Sequence, residues 1–202
     1  ICLAQVNATV GALSANTDQL IAVLEANSQD DLIVFPEFSL CGYPPEDLLM
    51  RADFHRRINQ QLERIKAATQ STAAAVSYPF YENGNYFSVL SVFQNGKEIA
   101  HYRKQKLPNY AVFDELRYFT PGDSATVFDL KGTKLGLLIC EDLWHPEPAQ
   151  QARVAGAEIL IAVNASPFEE YKYEQRLQVL RARCVENQIP LVYVNLVGGQ
   201  DE

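Results

Sequence analysis

The chain has 202 residues and a formal net charge of −8 at pH 7, and hydrophobic residues make up 48% of it. This length and apolar content predict one domain with a sizeable core rather than a disordered chain. The acidic balance argues against nucleic acid or an anionic membrane surface as a partner, because both are bound through basic patches. No apolar run approaches the ~20 residues of a transmembrane helix.

The four cysteines are widely spaced, form no CxxC pair and have no close histidine partners. They are Cys2, Cys41, Cys140 and Cys184. This pattern argues against a zinc site, and it is typical of reduced thiols in a protein of the cytoplasm. We therefore expect no metal site and a cytoplasmic location.

The first part of the chain alternates between predicted strands and predicted helices. In chain order these are a strand at 2–7, a helix at 14–27, a strand at 31–35, a turn-rich loop at 41–48, a helix at 52–69 and a strand at 73–78. Glu37 follows directly after the end of the second strand and Pro36. A carboxylate at that position could face a cleft, or it could be a solvated loop residue.

The pattern then changes to hairpins. Apolar runs at 86–93 and 97–103 flank Asn95-Gly96, the strongest short-range signal for a hairpin. Lys131-Gly132 predicts a second hairpin, which joins a strand at 126–128 to the strand that ends at Cys140. The remaining predicted elements are a helix at 146–155, a strand at 158–163, a helix at 168–187 and a strand at 189–196. Because hairpins interrupt the alternation, we expect mixed sheets.

A short apolar run at 135–139 leads straight into Cys140 and predicts a fully buried strand. Binding sites in α/β proteins lie outside the carboxyl ends of strands, so this thiol would be held on a rigid element and aimed at a crevice. A single cysteine in such a place is often only a small buried residue. Its functional interpretation therefore depends on which groups lie nearby.

Glu37, a lysine of the 104–106 segment and Cys140 together form a set that suits amide hydrolysis. A thiolate attacks the carbonyl carbon, a carboxylate moves the proton from the thiol to the leaving nitrogen, and an ammonium stabilises the oxyanion. Spacing alone does not bring the three together. It also leaves Lys104 and Lys106 as equal candidates, because alternation along a strand puts both on one face.

Segments 32–37, 104–108 and 138–141 resemble the three catalytic blocks of the nitrilase superfamily of carbon–nitrogen hydrolases. The resemblance implies the α/β fold of that superfamily, a four-layer αββα sandwich with two mixed sheets packed face to face and helices outside. It implies a catalytic triad, a second carboxylate near the lysine and an oxyanion donor in a backbone N–H. The triad would be Glu37, Lys104 and Cys140, the second carboxylate Glu115 and the N–H that of Glu141. Lys104 is selected because the superfamily lysine stands in a Lys-x-x-Leu-Pro pattern.

More specific blocks resemble the glutaminase domain of glutamine-dependent NAD synthetases and cover nearly the whole chain. They lie at 42–49, 106–115, 139–144, 164–168 and 197–202. The resemblance implies that residues 1–202 form a glutamine amidotransferase domain. This domain would hydrolyse the side-chain amide of glutamine through a cysteine thioester and supply ammonia for ATP-dependent amidation of deamido-NAD to NAD. The implied glutamine-pocket residues are Tyr43, Tyr110, Trp144, Ser166 and Lys172, and Lys172 stands where some members have arginine.

The same resemblance implies a C-terminal synthetase domain outside these residues, which receives the ammonia. The chain has no Ser-Gly-Gly-type phosphate loop, so ATP and magnesium are expected only in that domain and no cofactor is expected in this one. On this interpretation the end at 197–202 is a cut within a longer protein. The superfamily resemblance also implies a homo-oligomer.

Four alternatives remain open. A stand-alone amidase of the nitrilase superfamily would act on another small amide, and an inactive relative would serve as a scaffold. Amidotransferases with a Cys-His-Glu triad seat the cysteine in a Gly-x-Cys-x-Gly elbow, and Cys140 has no such glycines beside it. Amidotransferases with an N-terminal cysteine would need Cys2 to be the first residue.

His145 lies five residues after Cys140, which would suit a Cys-His pair, but the following Pro146 predicts that His145 precedes a helix.

Overall fold

The computed structural model describes residues 1–199, so Gln200, Asp201 and Glu202 of the block at 197–202 lie outside the described residues. The strands are β1 Cys2–Leu3, β2 Leu32–Val34, β3 Ala73–Glu82, β4 Asn85–Gln94, β5 Lys97–Arg103, β6 Val127–Leu130, β7 Thr133–Ile139, β8 Ile159–Asn164 and β9 Leu191–Asn195. The helices are α1 Leu13–Ala26, α2 Ala52–Ala68, α3 Pro146–Val154 and α4 Lys172–Asn187. None of the helices in this part of the chain has both the length and the apolar character that crossing a membrane requires.

The strands form two mixed sheets, as expected from the inserted hairpins. The first sheet has the order β1-β2-β3-β4-β5, in which β1, β2 and β3 run parallel and β4 and β5 each run antiparallel to the strand before. The second has the order β6-β7-β8-β9, in which β6 is antiparallel to β7, and β7, β8 and β9 run parallel. The hairpins predicted at Asn95-Gly96 and Lys131-Gly132 are both present.

Three apolar layers hold the sheets and helices together. The central layer lies between the two sheets and contains side chains of both, among them Val34, Val92, Leu137 and Val163. A second layer joins the outer face of the first sheet to α1 and α2, and a third joins the outer face of the second sheet to α3 and α4. The four-layer αββα sandwich is thus confirmed.

Strand β7 is apolar from Leu135 to Ile139 because both of its faces are buried over that stretch. Leu135, Leu137 and Ile139 point into the layer between the sheets, whereas Leu138 points to the layer under the helices. Gly136 lies on the helix side, where an added Cβ would come within 2.9 Å of the Ala157 Cβ and 3.0 Å of the Ala152 Cβ. This close packing fixes the strand that leads into Cys140.

The first strand is shorter than predicted. A strand was expected at 2–7, but β1 ends at Leu3, where its pairing with β2 stops, and the side chains of Val6 and Ala8 then pack in the layer that contains α1 and α2. The N–H of Ala4 still donates to the Val34 carbonyl at 3.0 Å, and the Val6 carbonyl accepts the N–H of Val197 at 3.3 Å. The segment therefore bridges the sheets instead of extending one.

Two other elements differ from the prediction. Strand β3 runs on to Glu82 and forms a third hairpin with β4 through Asn83-Gly84, where both residues have positive φ, as hairpin turns of this kind require. The helix expected at 168–187 begins only at Lys172. Phe168 is 97% exposed and therefore contributes no apolar burial that would hold a helix start at this position.

Candidate active site

Three residues that follow the ends of strands come together at one edge of the sandwich. Glu37 follows β2, Lys104 comes directly after β5, and Cys140 comes directly after β7. The Lys104 Nζ donates to Glu37 Oε1 at 2.7 Å and to both carboxylate oxygens of Glu115 at 2.8 Å. The Lys104 and Glu37 side chains are 0% and 1% exposed, so this ammonium has exchanged water for two carboxylates.

Further hydrogen bonds fix both carboxylates. Glu37 Oε2 accepts the backbone N–H of Ala165, just past β8, at 3.0 Å. Glu115 Oε1 accepts the hydroxyl of Tyr43 at 3.1 Å. Both sheets and two loops therefore hold this cluster of Glu37, Lys104 and Glu115, which we call the Glu–Lys–Glu cluster.

The charges of the Glu–Lys–Glu cluster do not balance, since one ammonium faces two carboxylates. Burial alone would lower the pKa of Lys104, but the charges of Glu115 and Glu37 outweigh burial and hold this pKa well above its usual value. Burial raises the pKa of Glu115 to about 7; the Lys104 charge opposes this rise, and the Glu37 charge adds to it. The cluster therefore holds one proton more readily than an exposed glutamate would.

Cys140 lies in a strained turn beside this cluster. Its φ of +42° is in the left-handed region, which costs a non-glycine residue about 1–3 kcal/mol, and it begins a 3₁₀ turn over Cys140–Trp144. The Sγ lies 3.6 Å from Ser166 Oγ. Burial and then the charge of Glu37 raise the pKa of the thiol, while Lys104 partly opposes them. At neutral pH the thiol keeps its proton, so any attack by this sulfur needs a base.

The structure separates the two candidate lysines. Lys104 is buried within the cluster, whereas Lys106 is partly exposed and its Nζ lies 3.4 Å from Glu147 Oε2 at the surface. The expectation that both share one strand face was wrong, because β5 ends at Arg103 and neither residue belongs to it.

The residues expected to line a substrate pocket differ in their burial and in the groups that they contact. Ser166 contacts the Sγ directly, and Tyr43 reaches the cluster through Glu115. Tyr110 is 47% exposed, and its hydroxyl donates to Glu141 Oε2 at 2.9 Å. The Lys172 Nζ lies 5.3 Å from the centre of the Trp144 ring and 3.3 Å from Glu169 Oε2. An open cavity of about 440 Å³ adjoins Ser166.

The sequence did not predict three residues of this region. Asn195, at the end of β9, accepts the N–H of Ser166 at 2.9 Å and donates to its carbonyl at 3.0 Å, which holds Ser166 beside the thiol. Arg176 lines the open cavity from α4. Asp142 is fully buried two residues after Cys140. The sequence signals were weak, since a polar residue near a strand end or on a helix is usually solvated.

His145 does not contact the thiol in the way a Cys-His pair would. It precedes α3, as predicted, and its Nε2 lies 3.5 Å from Glu141 Oε1. Within residues 1–199, no group of three or more His, Cys, Asp or Glu side chains is arranged to hold a metal ion.

These features are those of a carbon–nitrogen hydrolase of the nitrilase superfamily. The sequence profile of the carbon-nitrogen hydrolase family matches residues 2–202, and the chain belongs to this family. Over its full length the chain is 44% identical to the glutamine-dependent NAD(+) synthetase of Xylella fastidiosa and 40% identical to that of Aquifex aeolicus. It spans 38% and 36% of the lengths of these two relatives, respectively.

Solved structures have the same fold. The glutamine-dependent NAD+ synthetase from Acinetobacter baumannii, in complex with ADP, has a TM-score of 0.94 at 35% identity, over 99% of this chain and 38% of that one. A mutant amidase from Nesterenkonia sp. carries the acetamide moiety of fluoroacetamide on its active-site cysteine. It has a TM-score of 0.87 at 25% identity, over 98% of this chain and 76% of that one.

The raised pKa of Glu115 makes stability depend on pH. The pKa in the folded chain, about 7, lies above the ordinary value of 4.5, so folding binds a proton between these pH values. The stabilisation is complete below about pH 4.5 and is lost as the pH rises through about 7. Glu115→Gln removes this dependence and keeps the shape of the side chain. The quantity to measure is the difference in unfolding free energy between wild type and Glu115→Gln. We expect this difference to fall by about 1–3 kcal/mol from pH ~5 to pH ~8.

Urea unfolding at several pH values measures this difference. Glu63→Gln is the control, since Glu63 forms an exposed ion pair with Lys66 on α2 and should leave the pH dependence unchanged. A difference between wild type and Glu115→Gln that stays flat or rises with pH would contradict the assignment.

Proposed function

We propose that this chain is the glutaminase part of a glutamine-dependent NAD synthetase and hydrolyses the side-chain amide of glutamine through a thioester on Cys140. The observation that carries the proposal is the buried Glu–Lys–Glu cluster beside a protonated thiol. A carbon-nitrogen hydrolase needs a nucleophile, a base and a cation for the oxyanion, and this cluster can supply the last two. The identity to two NAD synthetases supports glutamine as the amide.

The first half-reaction forms the thioester. Glu37 removes the proton of Cys140 as the sulfur attacks the amide carbon, and the carbonyl oxygen becomes an oxyanion. The Lys104 ammonium and the backbone N–H of Glu141 stabilise that oxyanion. Glu37 then returns the proton to the amide nitrogen, the carbon–nitrogen bond breaks, and ammonia leaves. Because Lys104 already contacts Glu37 at 2.7 Å, base and oxyanion donor are oriented before substrate arrives.

The second half-reaction returns the free enzyme. Glu37 takes a proton from a water molecule that attacks the thioester carbon, and the same two donors stabilise the oxyanion. The carbon–sulfur bond breaks, glutamate leaves, and the sulfur regains the proton from Glu37. One water is consumed for each glutamine, with glutamate and ammonia as products.

The charged side chains at the site suit the two charged groups of a free amino acid. Glutamine carries an α-ammonium and an α-carboxylate, so its pocket needs one anionic and one cationic group. The Glu141 carboxylate, held by Tyr110, is suited to the ammonium. Lys172, which lies over Trp144, is suited to the carboxylate, together with the Ser166 hydroxyl. Tyr43, whose hydroxyl donates to Glu115, would line the pocket next to the Glu–Lys–Glu cluster.

The ammonia would serve an ATP-dependent amidation of deamido-NAD in a separate synthetase domain, where ATP and magnesium would act. The names of relatives that are more than twice as long as this chain support this part of the proposal. We further propose that the protein works in the cytoplasm as a homo-oligomer. Incubation of the 202-residue chain with glutamine, ATP, magnesium and deamido-NAD should yield glutamate and no NAD.

The second candidate is an amidase that acts on another small amide. The likeness to the Nesterenkonia amidase supports it, at a lower identity than the NAD synthetases have. A panel of glutamine, asparagine, acetamide and butyramide separates the two. Preference for an amide without the amino-acid group would favour the amidase.

Replacement of Cys140 tests the nucleophile. Cys140→Ala should abolish ammonia release from glutamine, because no other group of the site can form the thioester, while the buried position still accepts alanine. Cys184→Ala on α4 is the matched control and should keep wild-type activity. Ammonia is measured with a coupled glutamate dehydrogenase assay. Turnover that persists in folded Cys140→Ala protein would refute the proposed nucleophile.

Replacement of each lysine tests the oxyanion donor. Lys104→Ala should lower kcat by about 10²–10³-fold, the usual loss for one oxyanion donor. Lys106→Ala is the matched control two residues away and should change kcat by less than about threefold, because its Nζ pairs with Glu147 at the surface. Steady-state kinetics on folded variants measure both. Equal losses in the two variants would contradict the assignment of Lys104.

A further inference from the structure

Asp142 is a fully buried carboxylate that accepts four hydrogen bonds. Oδ1 accepts the backbone N–H groups of Gln105 at 3.1 Å and Lys106 at 2.9 Å. Oδ2 accepts the hydroxyl of Tyr102 at 2.8 Å and the backbone N–H of Ile139 at 2.9 Å. The catalytic steps above use none of these bonds.

The four donors come from both sides of the active site. Three belong to the chain around Lys104, in β5 and in the two residues that follow the lysine. The fourth is the last N–H of β7, directly before Cys140, and its bond closes the turn that holds Cys140 at positive φ. Asp142 itself lies in that turn, so one side chain ties the segment with the ammonium to the segment with the thiol.

We propose that Asp142 is a positioning residue, which sets the placement of the Lys104 ammonium relative to the Cys140 sulfur. This inference rests on the proposed function for the roles of the two residues. Asp142 touches neither the substrate nor the reacting atoms. It acts through the backbone on both sides, and its loss should alter how well the oxyanion is held rather than how well glutamine binds.

The surroundings of Asp142 favour positioning over stabilisation. All four donors to its oxygens are uncharged, and burial raises the pKa of this carboxyl to about 6. When folding raises the pKa of a carboxyl group, the folded chain is less stable with that group ionised than with it protonated. The ionised carboxylate therefore adds little to stability, whereas its two oxygens accept four donors from both segments and fix their relative placement.

An asparagine would break this convergence with almost no change of shape. Its oxygen can still accept the N–H groups of Gln105 and Lys106, but its NH₂ group then faces the N–H of Ile139, and two donors oppose each other. The turn at Cys140 would shift relative to Lys104. Misplacement of reacting groups by about 1 Å can cost about 10²-fold in rate.

The test compares Asp142→Asn with Asp129→Asn in the whole chain. Asp129 is the matched control, since its Oδ1 accepts the N–H of Gly132 at 3.0 Å at the opposite end of β7. We expect Asp142→Asn to lower kcat for glutamine by about 10²-fold with KM within about twofold of wild type. Asp129→Asn should keep both constants. A purely stabilising role would lower the unfolding temperature and leave kcat per folded molecule unchanged, and that result would overturn the proposal.

A second readout is independent of glutamine. The rate at which iodoacetamide alkylates Cys140, followed on its peptide by mass spectrometry, should fall by about tenfold in Asp142→Asn, because the thiolate loses its aligned ammonium. If the wild type hydrolyses no glutamine, the proposed function fails, and the alkylation rates alone decide on Asp142. Unchanged alkylation in the folded variant would then overturn the proposal.

Tyr102→Phe decides the question if Asp142→Asn does not fold. This change deletes one hydroxyl inside the sandwich and leaves Asp142 with three donors. We expect kcat to fall by about tenfold at unchanged KM, the scale of one hydrogen bond to a charged group. A kcat within about twofold of wild type would overturn the proposal.

Discussion

The buried ammonium of Lys104 is the constraint on which the rest of the structure depends. A cation without water must be paired, and a single carboxylate would leave its other hydrogens without acceptors. Glu37 and Glu115 satisfy it together, at 2.7 and 2.8 Å. The second carboxylate leaves the cluster with one negative charge too many, so it holds a proton readily. A buried thiol next to this cluster keeps its own proton, yet it lies beside both a base and a cation.

The sandwich delivers these groups because its two sheets end at the same edge. β5 of the first sheet leads into Lys104, and β7 of the second leads into Cys140. Two buried carboxylates then bridge the sheets: Glu37 bonds to Ala165 after β8, and Asp142 bonds to both strand ends. The site is therefore fixed by contacts across the central layer.

The sequence predicted most of the strands and helices well because apolar periodicity reports burial directly, as in the run that becomes β7, whereas the four-layer packing was implied by the family resemblance. It could not choose between Lys104 and Lys106, since the choice depends on β5 ending at Arg103, and strand ends are set by tertiary contacts. The resemblance to a family supplied the choice, and the burial of Lys104 gives its physical reason. The hairpin at Asn83-Gly84 carried the usual signal and was nevertheless not predicted. Asp142 was not identified because carboxylates near a strand end are usually solvated, and three of its four donors are distant in sequence.

The most direct test of the account is the rate of thioester formation in Glu37→Gln. The amide keeps the size of the side chain and leaves Lys104 paired with Glu115, but it cannot take the proton of Cys140. Rapid-quench mass spectrometry follows the γ-glutamyl adduct on Cys140 after mixing with glutamine. Adduct formation should slow by about 10²-fold or more in a folded variant. Adduct formation at nearly the wild-type rate would contradict this expectation, since the thiol would then lose its proton without Glu37.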